Sequence, residues 1–317
     1  MESNNKELRM AYSALVNDLR QIIDNAKVRV ASTANYELTM MYWHIGERIN
    51  RDVLGNKRAE YSKQIVATLS RQLWWSHFVE VIPLKEELQR EFYLTMAYSQ
   101  RWGVRRLRKE IDGMLFERTA IAQKPDELIK QELAELRDDN KMSPDLVFKS
   151  PYFLAFTGLK GYYSEKSLED SLVANLEQFI LELGNGFTFV ERQKRIIIDG
   201  EDFYLDLLFF HRKLHRLIAI DLKLGRFKAQ YKGQMELYLR WLEAHETEPG
   251  EESPLGLLLC TEGGEEQIEL LQLDKSGIKV AKYMTELPPR EVLMQQIKRS
   301  LEVSRELFDE KNNMRED

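Results

Sequence analysis

The sequence holds one cysteine, Cys260, in 317 residues. A disulfide framework is therefore excluded, and a reducing compartment fits. No run approaches the roughly twenty apolar residues that a membrane-spanning helix needs. Nor does the start carry an apolar stretch of secretion-signal type. The expectation is a soluble cytoplasmic protein with no membrane partner. Excess positive charge is missing too: 46 Lys and Arg stand against 52 Asp and Glu, a formal charge of −6. That balance does not advertise nucleic-acid binding, but such footprints are local and depend on where the basic residues gather. No internal repeat or low-complexity tract is visible. What the chain does have is a hydrophobic content of 43% and an aromatic content of 10%, enough for packed cores in two ordinary domains.

Two apolar runs stand out, residues 203–210 and 216–223, joined by the polar break His211–His215. They read as strands of a hairpin. Each carries one acid, Asp206 in the first and Asp221 in the second, and a carboxylate inside a strand is costly unless something pairs with it. Side chains alternate faces along a strand, so Asp221 and Lys223 share a face. A turn symmetric about Lys213 and Leu214 sets position 206 opposite position 221. Two carboxylates then converge with an ammonium beside them, a pattern suited to a hard divalent cation. Asp-x-Lys alone is a weak signal, since Asp139-Asn140-Lys141 and Asp309-Glu310-Lys311 also occur, but only Asp221-Leu222-Lys223 ends an apolar strand. A purely structural ion pair between Lys223 and either acid is the alternative.

The first 145 residues read as mainly helical: a periodic region over 6–50, a helix over 59–73, another over 85–98, and a charged helix over 125–140. Their basic cluster is Arg101, Arg105, Arg106, Arg108 and Lys109, beside the apolar stripe Val104, Leu107, Ile111 and Leu115. It reads either as a phosphate-contacting face or as a solvated face balanced by Glu110, Asp112 and Glu117. Trp43, Trp74, Trp75 and Trp102 read as core or interface residues. A boundary falls between 140 and 152, and residues 301–317 form a charged tail. Residues 146–300 read helix, strand, strand, strand, helix, strand: an α/β domain with a mixed sheet. Its first helix spans 168–183, with Leu172, Leu176, Phe179 and Leu183 inward. Glu169 sits in the first turn, where a carboxylate also suits the helix dipole. The five histidines show no metal-ligand spacing, so no zinc site is expected.

This order of elements resembles the restriction-endonuclease-like PD-(D/E)XK core. Ser164-Glu165-Lys166, Leu168-Glu169, Arg192-Gln193, Leu205-Asp206-Leu207, Asp221-Leu222-Lys223 and Gly233-Gln234-Met235 are similar to the YhcG-like family of bacterial PDDEXK nucleases. Upstream, Tyr42-Trp43-His44-Ile45-Gly46, Trp75-Ser76-His77-Phe78 and Glu117-Arg118-Thr119-Ala120 resemble that family's helical, winged-helix-like N-terminal domain. Two departures stand out. Leu205 replaces the proline of the superfamily name, and Leu73 runs straight into Trp74-Trp75 where family members carry a further helical segment, so the first domain looks shortened.

The resemblance implies a Mg²⁺- or Mn²⁺-dependent DNA endonuclease of restriction, recombination or repair. Asp206, Asp221 and the Leu222 carbonyl would hold the ion, and Glu169 would complete the site directly or through water. Lys223 would orient or help deprotonate the attacking water, and Gln234 would position Lys223 or the phosphate. Glu182 could replace Glu169 as the helix acid. DNA is the implied partner, and cutting both strands suggests a homodimer. The rival is a DNA-binding or partner-binding protein that keeps the fold without turnover.

Overall fold

The computed structural model describes residues 2–49, 73–262, 265–289, 291–299 and 301. They divide into two compact units, Met1–Lys109 and Glu110–Asp317. The expected helix over 59–73 and the tail beyond 301 lie almost wholly outside the described residues.

In the first unit the periodic region forms one continuous helix, α1 (Glu2–Ile49). Its described part is largely exposed, Ile22 and Val30 included, while Thr39 and Met40 are buried. Tyr42 stacks on Trp75 at 4.7 Å between ring centroids, at the start of α2 (Trp75–Val81). The core centres on α3 (Glu87–Gln100), through Phe92, Tyr93, Met96 and Ala97, and on Leu107 of α4 (Val104–Asp112). Trp102 is buried, whereas Trp74 is exposed rather than in the core. No strand lies among the described residues of this unit.

Residues 110–145 are tied into the second unit. Arg118, at the end of α5 (Leu115–Arg118), is 3% exposed. It donates to Gly113 O at 2.9 Å, Pro151 O at 3.0 Å and Glu182 Oε1 at 2.7 Å. Lys124, ahead of α6 (Asp126–Asp138), pairs with Asp145 at 2.5 Å, and Lys279 reaches the same carboxylate at 2.8 Å.

Six strands make one mixed sheet: β1 (Tyr152–Phe153), β2 (Phe187–Ile198), β3 (Glu201–His211), β4 (Arg216–Arg226), β5 (Leu255–Glu262) and β6 (Ile278–Met284), in the order β1-β6-β5-β4-β3-β2. The β2-β3-β4 meander is antiparallel, and β4, β5, β6 and β1 run parallel. β5, whose run Leu255–Cys260 is wholly apolar and buried, is an interior strand, as a strand buried on both faces should be. The expected single helix over 168–183 is two helices, α7 (Glu165–Ala174) and α8 (Leu176–Leu183). Asn175 breaks them: its amide donates to Ser171 O at 2.9 Å, the kind of local competition that disfavours Asn inside helices. Ser164 caps α7 by accepting from Ser167 N. On the sheet, α9 (Gln230–His245) packs Met235 so closely that a Cβ on Gly256 would stand 2.6 Å from its Cγ.

His211 locks the tip of the β3–β4 hairpin. Its Nδ1 accepts from Leu214 N and its Nε2 donates to Asn185 O, both at 3.1 Å, which only the neutral ring can do. Burial, assisted by Lys213, pushes its pKa down to about 4. The unfolded chain takes up the proton near pH 6.5, so stability is full above that and falls as the pH drops towards 4. The loss is about 3 kcal/mol. Urea midpoints across pH 4–7 should show this slope in wild type and a flatter one in His211→Gln.

Candidate active site

A row of polar side chains crosses three neighbouring strands of this sheet. Leu207 pairs with Ile220 and Phe210 with Leu217, which sets Asp206 across from Asp221, as a symmetric turn requires. On the other flank Arg192 pairs with Leu207 and Lys194 with Leu205, which sets Gln193 across from Asp206. The row is thus Gln193 on β2, Asp206 on β3 and Asp221 on β4.

Each member is bonded. Asp206 Oδ2 accepts from Leu222 N at 2.8 Å and Oδ1 from Gln193 Nε2 at 3.1 Å. Asp221, 3% exposed, pairs with Lys223 Nζ at 2.7 Å. Burial first, and then the adjoining Asp221 carboxylate, push Asp206 up to about 7. Burial works against the Lys223 charge, yet Asp221 outweighs it and holds the ammonium above the usual lysine range. The strand end beyond Lys223 is shaped by side chains: Glu165 Oε1 accepts from Leu224 N at 2.9 Å, and Thr261 Oγ1 from Gly225 N at 2.8 Å. Gly225 has φ +79°, and the β4–β5 register shifts between Lys223 and Arg226.

The two candidate helix acids separate cleanly. Glu169 is buried on α7 and faces the row; its Oε1 accepts from Arg192 Nε at 2.5 Å and its Oε2 from Gln193 Nε2 at 2.7 Å. Glu182 belongs to a different cluster, with Arg118, Lys149 and Phe153 N. Burial opposes its charge, but Lys149 and Arg118 outweigh burial and hold the carboxyl below its usual range. Among the described residues no three His, Cys, Asp or Glu side chains gather as a ligand set. Glu169 therefore meets Asp206 through Gln193 rather than joining both aspartates directly.

Gln234 is half-buried on α9, and its amide donates to Tyr238 Oη at 2.6 Å. The group set against Lys223 Nζ is instead the Tyr231 ring, 5.3 Å away. In the first unit Arg105, Arg108 and Lys109 are exposed on α4, Arg101 is exposed at the end of α3, and Arg106 is half-buried. Arg108 is already committed to Glu80, at 3.0 and 2.5 Å. Gln193, Arg192, Glu165 and Tyr231 did not announce themselves as site residues; only the Arg192-Gln193 and Ser164-Glu165-Lys166 motifs hinted at the first three.

The description of the YhcG PDDEXK nuclease domain matches residues 145–302, and that of the DUF1016 N-terminal domain matches 18–74 and 68–118. The chain belongs to the YhcG-like family of PDDEXK nucleases. The two N-terminal matches meet at 68–74, where Leu73 runs into Trp74. A YhcG relative from Escherichia coli, "Putative nuclease YhcG", is 28% identical over 374 aligned positions, covering 96% of this chain and 99% of the relative. That alignment is longer than the 317-residue chain, so the relative carries residues that are missing here. Among solved structures, a repair endonuclease from Pyrococcus abyssi is 21% identical over 41% of this chain and 50% of that one, with a TM-score of 0.29. An EndoMS–double-stranded DNA complex is 18% identical over 41% and 49%, with a TM-score of 0.30. The chain spans about half the length of these two structures.

Proposed function

We propose that this YhcG-family chain is a divalent-cation-dependent endonuclease that hydrolyses phosphodiester bonds in DNA. The observation that carries this reading is the facing pair of half-buried Asp206 and buried Asp221, set beside one lysine. A site with surplus negative charge suits a cation, and Mg²⁺ characteristically takes one or two carboxylates, leaving room for water and substrate phosphate. Asp206, Asp221 and the Leu222 carbonyl are the groups that would hold it. A bound Mg²⁺ or Mn²⁺ would offset the charge gathering on the scissile phosphate and acidify a nearby water.

Lys223 works beside that pair as an ammonium. Its Nζ–H groups stabilise the negative charge that builds as water adds to phosphorus and the bond to the leaving oxygen breaks. It can orient the attacking water, but a protonated amine has no lone pair with which to remove a proton. Glu169 steadies the row through Gln193. Gln234 acts through Tyr238, whose hydroxyl feels the charges of Asp221, Lys223 and Asp206. Arg101, Arg105 and Lys109 supply sequence-independent phosphate contacts. Cutting both strands takes two such sites, which a homodimer supplies.

The test is incubation of the purified chain with supercoiled, linear and branched DNA, and with RNA, in Mg²⁺, Mn²⁺ or EDTA. The expected result is DNA cleavage that requires metal and stops in EDTA; the preferred DNA form then separates restriction-like from junction-like roles. Cleavage indifferent to EDTA, or confined to RNA, overturns the proposal. One observation favours a second reading: the Asp221–Lys223 pair is a complete contact in its own right, as in a fold kept for DNA binding alone. DNA binding without cleavage in either metal selects that reading.

A further inference from the structure

Gln193 has a backbone that its residue type does not explain. It lies within a strand yet has φ +50°, in the left-handed region that any side chain with a Cβ finds unfavourable. Strain of this kind persists only where the surroundings impose it, and it concentrates at functional sites. Here the surroundings are two acids. A single amide nitrogen, Gln193 Nε2, donates to Glu169 Oε2 at 2.7 Å and to Asp206 Oδ1 at 3.1 Å.

The chemistry of that bridge is restrictive. Ionised carboxylates only accept, so a group that joins two of them must offer a hydrogen to each. An amide NH₂ does so without adding charge. A lysine would do so too, but it would cancel the surplus negative charge that attracts the cation. A glutamate would add a third repelling carboxylate, and an asparagine is one methylene shorter. The left-handed backbone is the local distortion that accompanies this aim.

We infer that Gln193 is a positioning residue, which holds the Asp206 carboxylate towards Asp221 and links it to Glu169 so that the pair is set for a divalent cation before the cation arrives. This inference rests on the nuclease reading above. Partners behind a ligand of this kind typically account for a 10–100-fold effect on metal affinity or activity.

The decisive variant is Gln193→Gly, because glycine accepts the left-handed backbone and removes only the bridge. Three quantities are measured: the melting temperature of the metal-free protein, Mn²⁺ affinity by calorimetry, and the rate of DNA cleavage. The expected result is a melting temperature within about 4 °C of wild type, since relief of the left-handed backbone offsets the lost donor, with Mn²⁺ affinity or cleavage about 10–100-fold lower. Gln193→Glu should not restore either function. Unchanged Mn²⁺ affinity and cleavage in Gln193→Gly overturn the inference, as does a loss matched by a fall in melting temperature that Mn²⁺ does not reverse. A wild-type protein that neither binds Mn²⁺ nor cleaves overturns the nuclease reading itself.

Discussion

Lys223→Ala should lower the rate of metal-dependent DNA cleavage by about 10²–10³-fold, the range lost when one donor aimed at the developing charge is removed. The fall should appear in kcat more than in KM, because the Nζ charge matters most where negative charge builds. The same substitution has a second consequence. It leaves Asp206 and Asp221 facing each other without the Lys223 ammonium, so the metal-free variant should melt below wild type. Saturating Mn²⁺ should then raise its melting temperature by more than it raises that of wild type, since the ion binds only the folded state. Cleavage at the wild-type rate would remove Lys223 from the mechanism. A metal-induced shift smaller than that of wild type would show that the acids do not form one cation site.

Arg118→Ala should have the largest effect on stability without touching the reaction. The guanidinium is buried, donates to three oxygens and lies 3.8 Å over the Phe153 ring. Removing it leaves Glu182 and two backbone carbonyls short of their donor. Breaking a buried ion pair from one side costs about 3–5 kcal/mol, a fall in melting temperature on the order of 10 °C for a unit of this size. Glu169→Gln should do the opposite: the melting temperature holds, because a buried acid becomes a neutral amide, while cleavage drops. If Glu182→Gln also stops cleavage while the protein stays folded, the division of labour between the two helix acids is wrong.

That division shows where the sequence could speak. The pairing of Asp206 with Asp221 follows from two apolar strands and a short polar turn, because register in a hairpin is fixed by the turn and by which face is buried. The choice between Glu169 and Glu182 does not follow. Both lie on one amphipathic pattern, and what separates them is the break at Asn175 and the arrival of Arg118 from sixty-four residues away. Residues 110–145 look like a continuation of the helical region, but Arg118 over the Phe153 ring and Lys279 on Asp145 tie them to the sheet. Gln193 was the least legible. As sequence it is one polar residue in the charged stretch Glu191–Arg195, and no propensity foretells a glutamine in the left-handed region. The basic helix lay between these extremes, since Leu107 was correctly expected to face inward, whereas the engagement of Arg108 by Glu80 needed the fold.

The cation-holding role of the aspartate pair is tested most directly by cleavage of supercoiled DNA in Mn²⁺, with wild type and Asp206→Asn compared at equal concentration and equal melting behaviour. The asparagine oxygen can still accept from Leu222 N, so the hairpin should keep its register while the charge that draws the ion is gone. The account predicts metal-dependent cleavage by wild type and none by Asp206→Asn. Cleavage by Asp206→Asn at the wild-type rate would contradict it.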